Sequence, residues 1–233
     1  MLAGHLGVAL GARSSSASVP LYALVAASFA LDLLWPLFLL TGVEVVDIQP
    51  GNTQFTHLVF VHYPWSHSLL MALVWGAVAS IITVVLRPVR GGAVLVGAVV
   101  VSHWLLDFIT HRPDLPLWPG GPLVGLGLWN SLPGTFAVEG SIYVAGIAAY
   151  LHSAPRRRRR QLSFWMFVVA VGAVWIASPW APPPPHAIVV AATALAIFLL
   201  PAWASRIEGR RRKRGIRSGP SRWSRRVERT LSQ

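Results

Sequence analysis

Residues 91–111 read GGAVLVGAVVVSHWLLDFITH, an apolar run of membrane-spanning length that ends in three potential metal ligands, His103, Asp107 and His111. They are spaced four residues apart. On an α-helix, positions i, i+4 and i+8 share nearly one face, so these three point one way while Trp104, Leu105 and Phe108 point elsewhere. Ionisable groups inside a membrane span are costly and mark functional sites by default.

The same apolar character recurs along the chain. Stretches near 20–42, 66–86, 91–110, 136–152, 162–178 and 186–205 are each about long enough to cross the hydrocarbon layer at a helical rise of about 1.5 Å per residue. Hydrophobic residues make up 54% and charged residues 12%, which excludes an ordinary soluble globule. The expected fold is all-α: a polytopic helical membrane protein with about six transmembrane helices and a short N-terminal helix. The segment 1–12 is apolar but too short to span. It reads as a retained helix that reaches mid-depth only by dipping back into the bilayer. Residues 1–205 form the expected membrane domain, and 206–233 a basic tail expected to be disordered.

Charge gives orientation. Of 20 Lys and Arg residues, 11 lie between Arg206 and Arg229 and five form Arg156 to Arg160. The rest are Arg13, Arg87, Arg90 and Arg112, and with six spans every basic cluster falls on one side. The positive-inside rule makes that side cytoplasmic, with both termini inside and the protein in the cytoplasmic membrane. A juxtamembrane basic tail suits anionic headgroups and membrane lipid. It lacks a folded module to present it to nucleic acid, which is therefore not the expected partner. Oligomeric state is not legible.

The opposite side receives the loops 43–65 and 111–135, and most of the acidic residues. Asp32 lies 12 residues beyond Pro20 and His103 lies 12 beyond Gly91, so both sit about 18 Å in from the same side. Asp107, His111, His67 at the outer start of the second span and Glu139 near the outer start of the fourth lie nearer the outer surface. His62 enters the same span as His67, and His5 sits in Gly4-His5-Leu6-Gly7. These residues converge on one outer-leaflet pocket. Cysteine is absent, so a metal here would have nitrogen and oxygen ligands, which suits zinc, or manganese or iron at higher coordination number. Glu139 and Asp32 are the carboxylates able to take a proton in catalysis. The apolar loop from Pro113 to Pro122 is expected to fold over the pocket or lie among headgroups, admitting an amphiphilic substrate.

Read in order, Gly-His near the start, an Asp in the first span, His-x-x-x-x-His-Ser at 62–68 and Ser-His-x-x-x-Asp at 102–107 resemble the YdjM-type inner-membrane metal-dependent hydrolases (DUF457-like). The resemblance covers roughly residues 1–120. It implies a polytopic protein with a His/Asp metal site and hydrolase activity, and it carries over His5, Asp32, His62, His67, His103 and Asp107. Where that family shows Pro-Asp-x-Asp, this chain has Leu31-Asp32-Leu33-Leu34, keeping one carboxylate. Tyr63 and Ser66 stand where the family has Arg and Thr. His111 and Glu139 are additions of this chain.

The favoured function is a membrane-embedded metal-dependent hydrolase acting on phosphoester or ester bonds of a lipid-like substrate. A proton- or ion-coupled transporter would use the same His/Asp groups as a relay. A non-enzymatic scaffold would depend on the basic tail instead.

Overall fold

A computed structural model describes residues 1–16, 18–86, 91–155 and 160–208. Arg87, Arg90, Arg156 to Arg159 and the tail from residue 209 lie outside the described residues, and with them the expectations placed on the basic tail.

The architecture is all-α apart from two small hairpins. Among the described residues, five segments are long and apolar enough to cross a membrane: α5 (Leu69–Leu86), α6 (Gly92–Thr110), α7 (Leu132–Ser153), a segment from Leu162 to Trp180 that contains α8 (Leu162–Ala177), and one from Ala187 to Glu208. The last joins α9 (Ala187–Ala194) to α10 (Leu199–Glu208) through a 3-10 turn. A bent pair, α2 (Leu21–Ser28) and α3 (Ala30–Leu40), makes a sixth. Helix α5 has a mean hydropathy of 2.5 and is only 11% buried, the signature of a lipid-facing surface.

Glycines let the helices approach closely where no water-driven force holds them together. Gly76 on α5 faces Gly97 on α6, where a Cβ on either would come within 3.0 Å of the other's carbonyl oxygen. The Ser80 hydroxyl reaches the Gly76 and Ala93 carbonyls, both at 2.9 Å, and ties the same pair. The N-terminal helix α1 (Leu2–Ser15) packs chiefly on α7, with Gly7 against Ile142 and Tyr143. Its buried residues run Ala3 to Gly7 without a gap, so α1 is an internal element of the bundle.

The first span is not a straight rod. Its axis turns by 53° between Ser28 and Ala30, and the backbone bonds carried across the turn are Phe29 N–H to Val25 O and Leu33 N–H to Phe29 O. The Ser28 carbonyl is thereby left for another partner. At the far end Glu208 binds the Arg13 guanidinium at 2.6 Å and accepts the Leu21 amide at 2.7 Å, joining α10 to α1 and to the start of α2.

The 43–65 segment, expected as a loop, forms an antiparallel hairpin of β1 (Val45–Ile48) and β2 (Leu58–His62). Runs of β-branched and aromatic residues such as Val59, Phe60 and Val61 favour it. A one-turn helix, α4 (Pro64–His67), follows and breaks at Ser68, whose ψ of 153° is extended. The 111–131 segment, with the short pair β3 (Leu115–Pro116) and β4 (Leu123–Val124), folds back over the start of α5 and the end of α6. Leu70 N–H donates to Leu117 O at 3.0 Å and Leu126 N–H to Phe108 O at 2.8 Å. Phe55, Phe60 and Trp129 stack between the two segments.

Candidate metal centre

Five side chains from four helices meet in the interior. His5 comes from α1, Asp32 from the first turn of α3, His67 from the end of α4, and His103 and Asp107 from one face of α6. Two overlapping groups, His5–His103–Asp107 and Asp32–His67–His103, each bring three ligand atoms within 4.8 Å of one another. They share His103. This buried group can hold a metal ion.

The break in the first span sets the orientation of His103. Its Nδ1 lies 2.7 Å from the Ser28 carbonyl oxygen, and since a carbonyl can only accept, Nδ1 carries the proton. In the neutral ring Nε2 therefore presents a lone pair to the cluster, the arrangement that metal-binding histidines adopt when the other nitrogen is tied to a backbone carbonyl. That Nε2 has no aligned hydrogen bond of its own. It stands 3.1 Å from Asp107 Oδ2 and 3.7 Å from Asp32 Oδ1.

Around it the other members are arranged similarly. His5 stacks on His103 with ring centroids 3.7 Å apart, and its Nε2 is 3.2 Å from Asp107 Oδ1 without hydrogen-bond alignment. His67 Nε2 lies 3.5 Å from Asp32 Oδ1 and 3.9 Å from Asp107 Oδ2. The Met1 nitrogen approaches Asp107 Oδ1 to 3.1 Å. Behind His67, its Nδ1 is 2.7 Å from Ser66 Oγ, and Ser66 donates to both oxygens of the buried Glu44, from Oγ at 2.6 Å and from its amide at 2.7 Å. Asp32 is the most open member, its side chain 23% exposed against 6% or less for the others.

The donor set suits a hard or intermediate divalent cation. Tetrahedral zinc with bonds of about 2.0–2.2 Å sets neighbouring ligand atoms about 3.3–3.6 Å apart. The separations here, 3.1 to 3.9 Å, bracket that spacing. Because Nε2 is the only ring nitrogen that His103 can offer, the two groups are halves of one centre.

Three expected members stand apart. His62 is exposed on β2 and belongs to neither group. It lines an outer cavity of about 200 Å³ with Tyr63, Asp114 and Leu123. His62 ends β2, where the strand runs out to the surface and Val61 and His62 are both exposed; Tyr63, the next residue, is the one turned inward. His111 is buried but does not extend the His103–Asp107 face, because α6 ends at Thr110 and the ψ of His111 is 148°. Its Nδ1 instead meets Asp114 Oδ1 at 3.0 Å and Tyr63 Oη at 3.2 Å. Burial, and then the Asp114 carboxylate, push the Tyr63 phenol well above its ordinary value, so it stays a proton donor, to Asp114 at 3.2 Å. Glu139, on α7, is fully buried outside both groups, with neither oxygen in an aligned hydrogen bond, though the Gly4 amide and the Trp129 indole lie beside it.

Glu44 is the member of this region that the sequence reading missed. The available signal was an acid set among Val43, Val45 and Val46, in a chain with only eight acidic residues. Compared with family models, curated proteins and solved structures, the chain matches none.

Proposed function

We propose that this chain is a membrane-embedded hydrolase of the YdjM type that its motifs resemble, holding one divalent ion, zinc first and manganese or iron as alternatives. His5, Asp32, His67, His103 and Asp107 are the residues that would hold it. One observation carries the reading: the His103 lone pair, an unpartnered His5 and two carboxylates face one another with no side-chain donor aligned between them. The Met1 ammonium on Asp107 Oδ1 at 3.1 Å offsets part of this buried charge; what it leaves uncompensated in low dielectric is costly, and a bound cation would offset the rest. When bound, such an ion supplies Lewis acidity, polarising an ester oxygen and making water a better nucleophile.

The chain's own groups divide the remaining work. Glu139, buried and free of aligned donors, is the carboxylate we assign to accept a proton. Asp32, the most exposed of the five, is the member we assign to face the substrate. The outer cavity, with Val61, Pro64 and Leu123 beside His62 and Asp114, favours an amphiphile over a fully polar solute. The substrate class proposed is therefore a lipid-like phosphoester or ester, reached from the non-cytoplasmic face of the cytoplasmic membrane, with both termini inside, the orientation the positive-inside rule favours.

Elemental analysis of the detergent-purified chain, before and after zinc titration, tests the reading. About one equivalent is expected in the wild type, lost together with hydrolysis of a phosphoester lipid reporter in Asp107→Ala and His103→Ala. A wild-type chain that takes up no divalent metal sinks it.

A further inference from the structure

We infer that Glu44 is a positioning residue for the centre: acting through Ser66, it fixes the proton of His67 on Nδ1, so that Nε2 presents its lone pair to Asp32 and Asp107. The consequence of this inference for metal binding rests on the metal-centre reading above; the hydrogen-bond logic does not.

The logic is one of donors and acceptors. Ser66 has one hydroxyl proton, and it goes to Glu44 Oε2 at 2.6 Å. Toward His67 Nδ1, 2.7 Å away, Ser66 Oγ is then left to accept, so Nδ1 must donate. The second oxygen of Glu44 accepts the Ser66 amide at 2.7 Å, holding the carboxylate in register with the hydroxyl. Glu44, Ser66 and His67 are 2%, 0% and 4% exposed, so water does not compete for these bonds. On the other ring nitrogen, Nε2, no donor intervenes before Asp32 Oδ1 at 3.5 Å. The pattern repeats the one at His103, where the Ser28 carbonyl takes the Nδ1 proton. Two histidines on different helices are thus held by separate acceptors with the same nitrogen turned inward.

A simpler role for Glu44 is to clasp the base of the hairpin to α4, and the two roles separate experimentally. Ser66→Ala removes the hydroxyl but keeps the backbone amide bond to Glu44, so the clasp keeps half its contacts while the link to His67 is lost. The full chain, 15N-labelled at histidine, is prepared metal-free in detergent micelles, and the His67 signals are assigned by their loss in His67→Ala. We expect the Nδ1–H tautomer of His67 in the wild type, and a shift toward Nε2–H in Ser66→Ala and in Glu44→Gln. Cobalt(II) affinity, measured by chelator competition, should fall about 10–100-fold in each single variant. The double variant should fall no further than the weaker single one. A wild-type His67 in the Nε2–H form, or a tautomer unchanged by Ser66→Ala, overturns the inference. Wild-type protein that binds no cobalt(II) overturns the hydrolase reading instead, and leaves the tautomer result to decide this one.

Discussion

The His103 imidazole reaches across 75 residues of chain to donate to the Ser28 carbonyl at 2.7 Å, and it can do so because the first span bends just there. A bend that looks like a defect in a membrane helix is what presents a backbone acceptor to a ligand. Replacing His103 with Phe should leave that carbonyl unsatisfied in the interior, at a cost of about 1–3 kcal/mol. Thermal unfolding in detergent with a chelator present measures this apart from any metal effect. An unchanged midpoint would show that the carbonyl finds another partner.

Metal should stabilise the fold as well as activate the site. A cation that binds only the folded chain adds about 2.7 kcal/mol at a free concentration one hundred times its Kd. Zinc should therefore raise the unfolding midpoint of the wild type in a concentration-dependent way, and Asp107→Asn should abolish the rise, since Asp107 contacts both halves of the centre. A midpoint indifferent to zinc, manganese and iron alike would count against the centre.

His62→Ala and His111→Ala should bind metal within about threefold of wild type, by chelator competition. The first residue is exposed on β2, and the second is committed to Asp114 and Tyr63. A loss in either variant as large as in His103→Ala would return that residue to the ligand set.

Gly7→Ala should be destabilising by about 1–3 kcal/mol, the usual cost of forcing an extra methyl into a packed interface. Its Cβ would lie 2.6 Å from the Ile142 carbonyl oxygen and 2.9 Å from the Tyr143 Cα, both backbone atoms that cannot rotate away. Because α1 carries His5, metal affinity should fall with stability. Gly11→Ala is the control: nothing lies within 4 Å of its Cβ position, so metal affinity should hold and stability should rise by about 0.5–1 kcal/mol, the helix propensity of Ala over Gly.

At the opposite end, Arg13 and Glu208 should couple by about 1 kcal/mol in a double-mutant cycle of Arg13→Gln and Glu208→Gln. Their contact is short and both side chains are mostly buried. A coupling near zero would make the pair a surface contact of no energetic weight.

Periodicity carried the reading of α6: His103 and Asp107 are one helical turn apart, and the structure puts both into one cluster. Counting residues from the same end of each span likewise set Asp32 and His103 at one depth, and they meet at 3.7 Å. That reasoning failed where a helix stopped. His111 was extrapolated one turn too far: the apolar stretch ends at Thr110 and Pro113 follows, so the four-residue spacing continues past the point where the helix stops. Glu44 was out of reach for another reason: its partner is 22 residues away through a hairpin, and pairing across a hairpin leaves no local period.

The docking of α1 onto α7 bears on how the protein is made. At 14 residues, α1 is about 21 Å long, short of the roughly 30 Å of a bilayer core, so it cannot settle as a span when it emerges. The surface that receives it, around Ile142, Tyr143 and Gly146, is synthesised more than a hundred residues later. The group that brings His5 to His103 therefore draws together α1, α6 and α7, elements far apart in the chain, and the packing of α1 on α7 joins the first helix to one more than a hundred residues later.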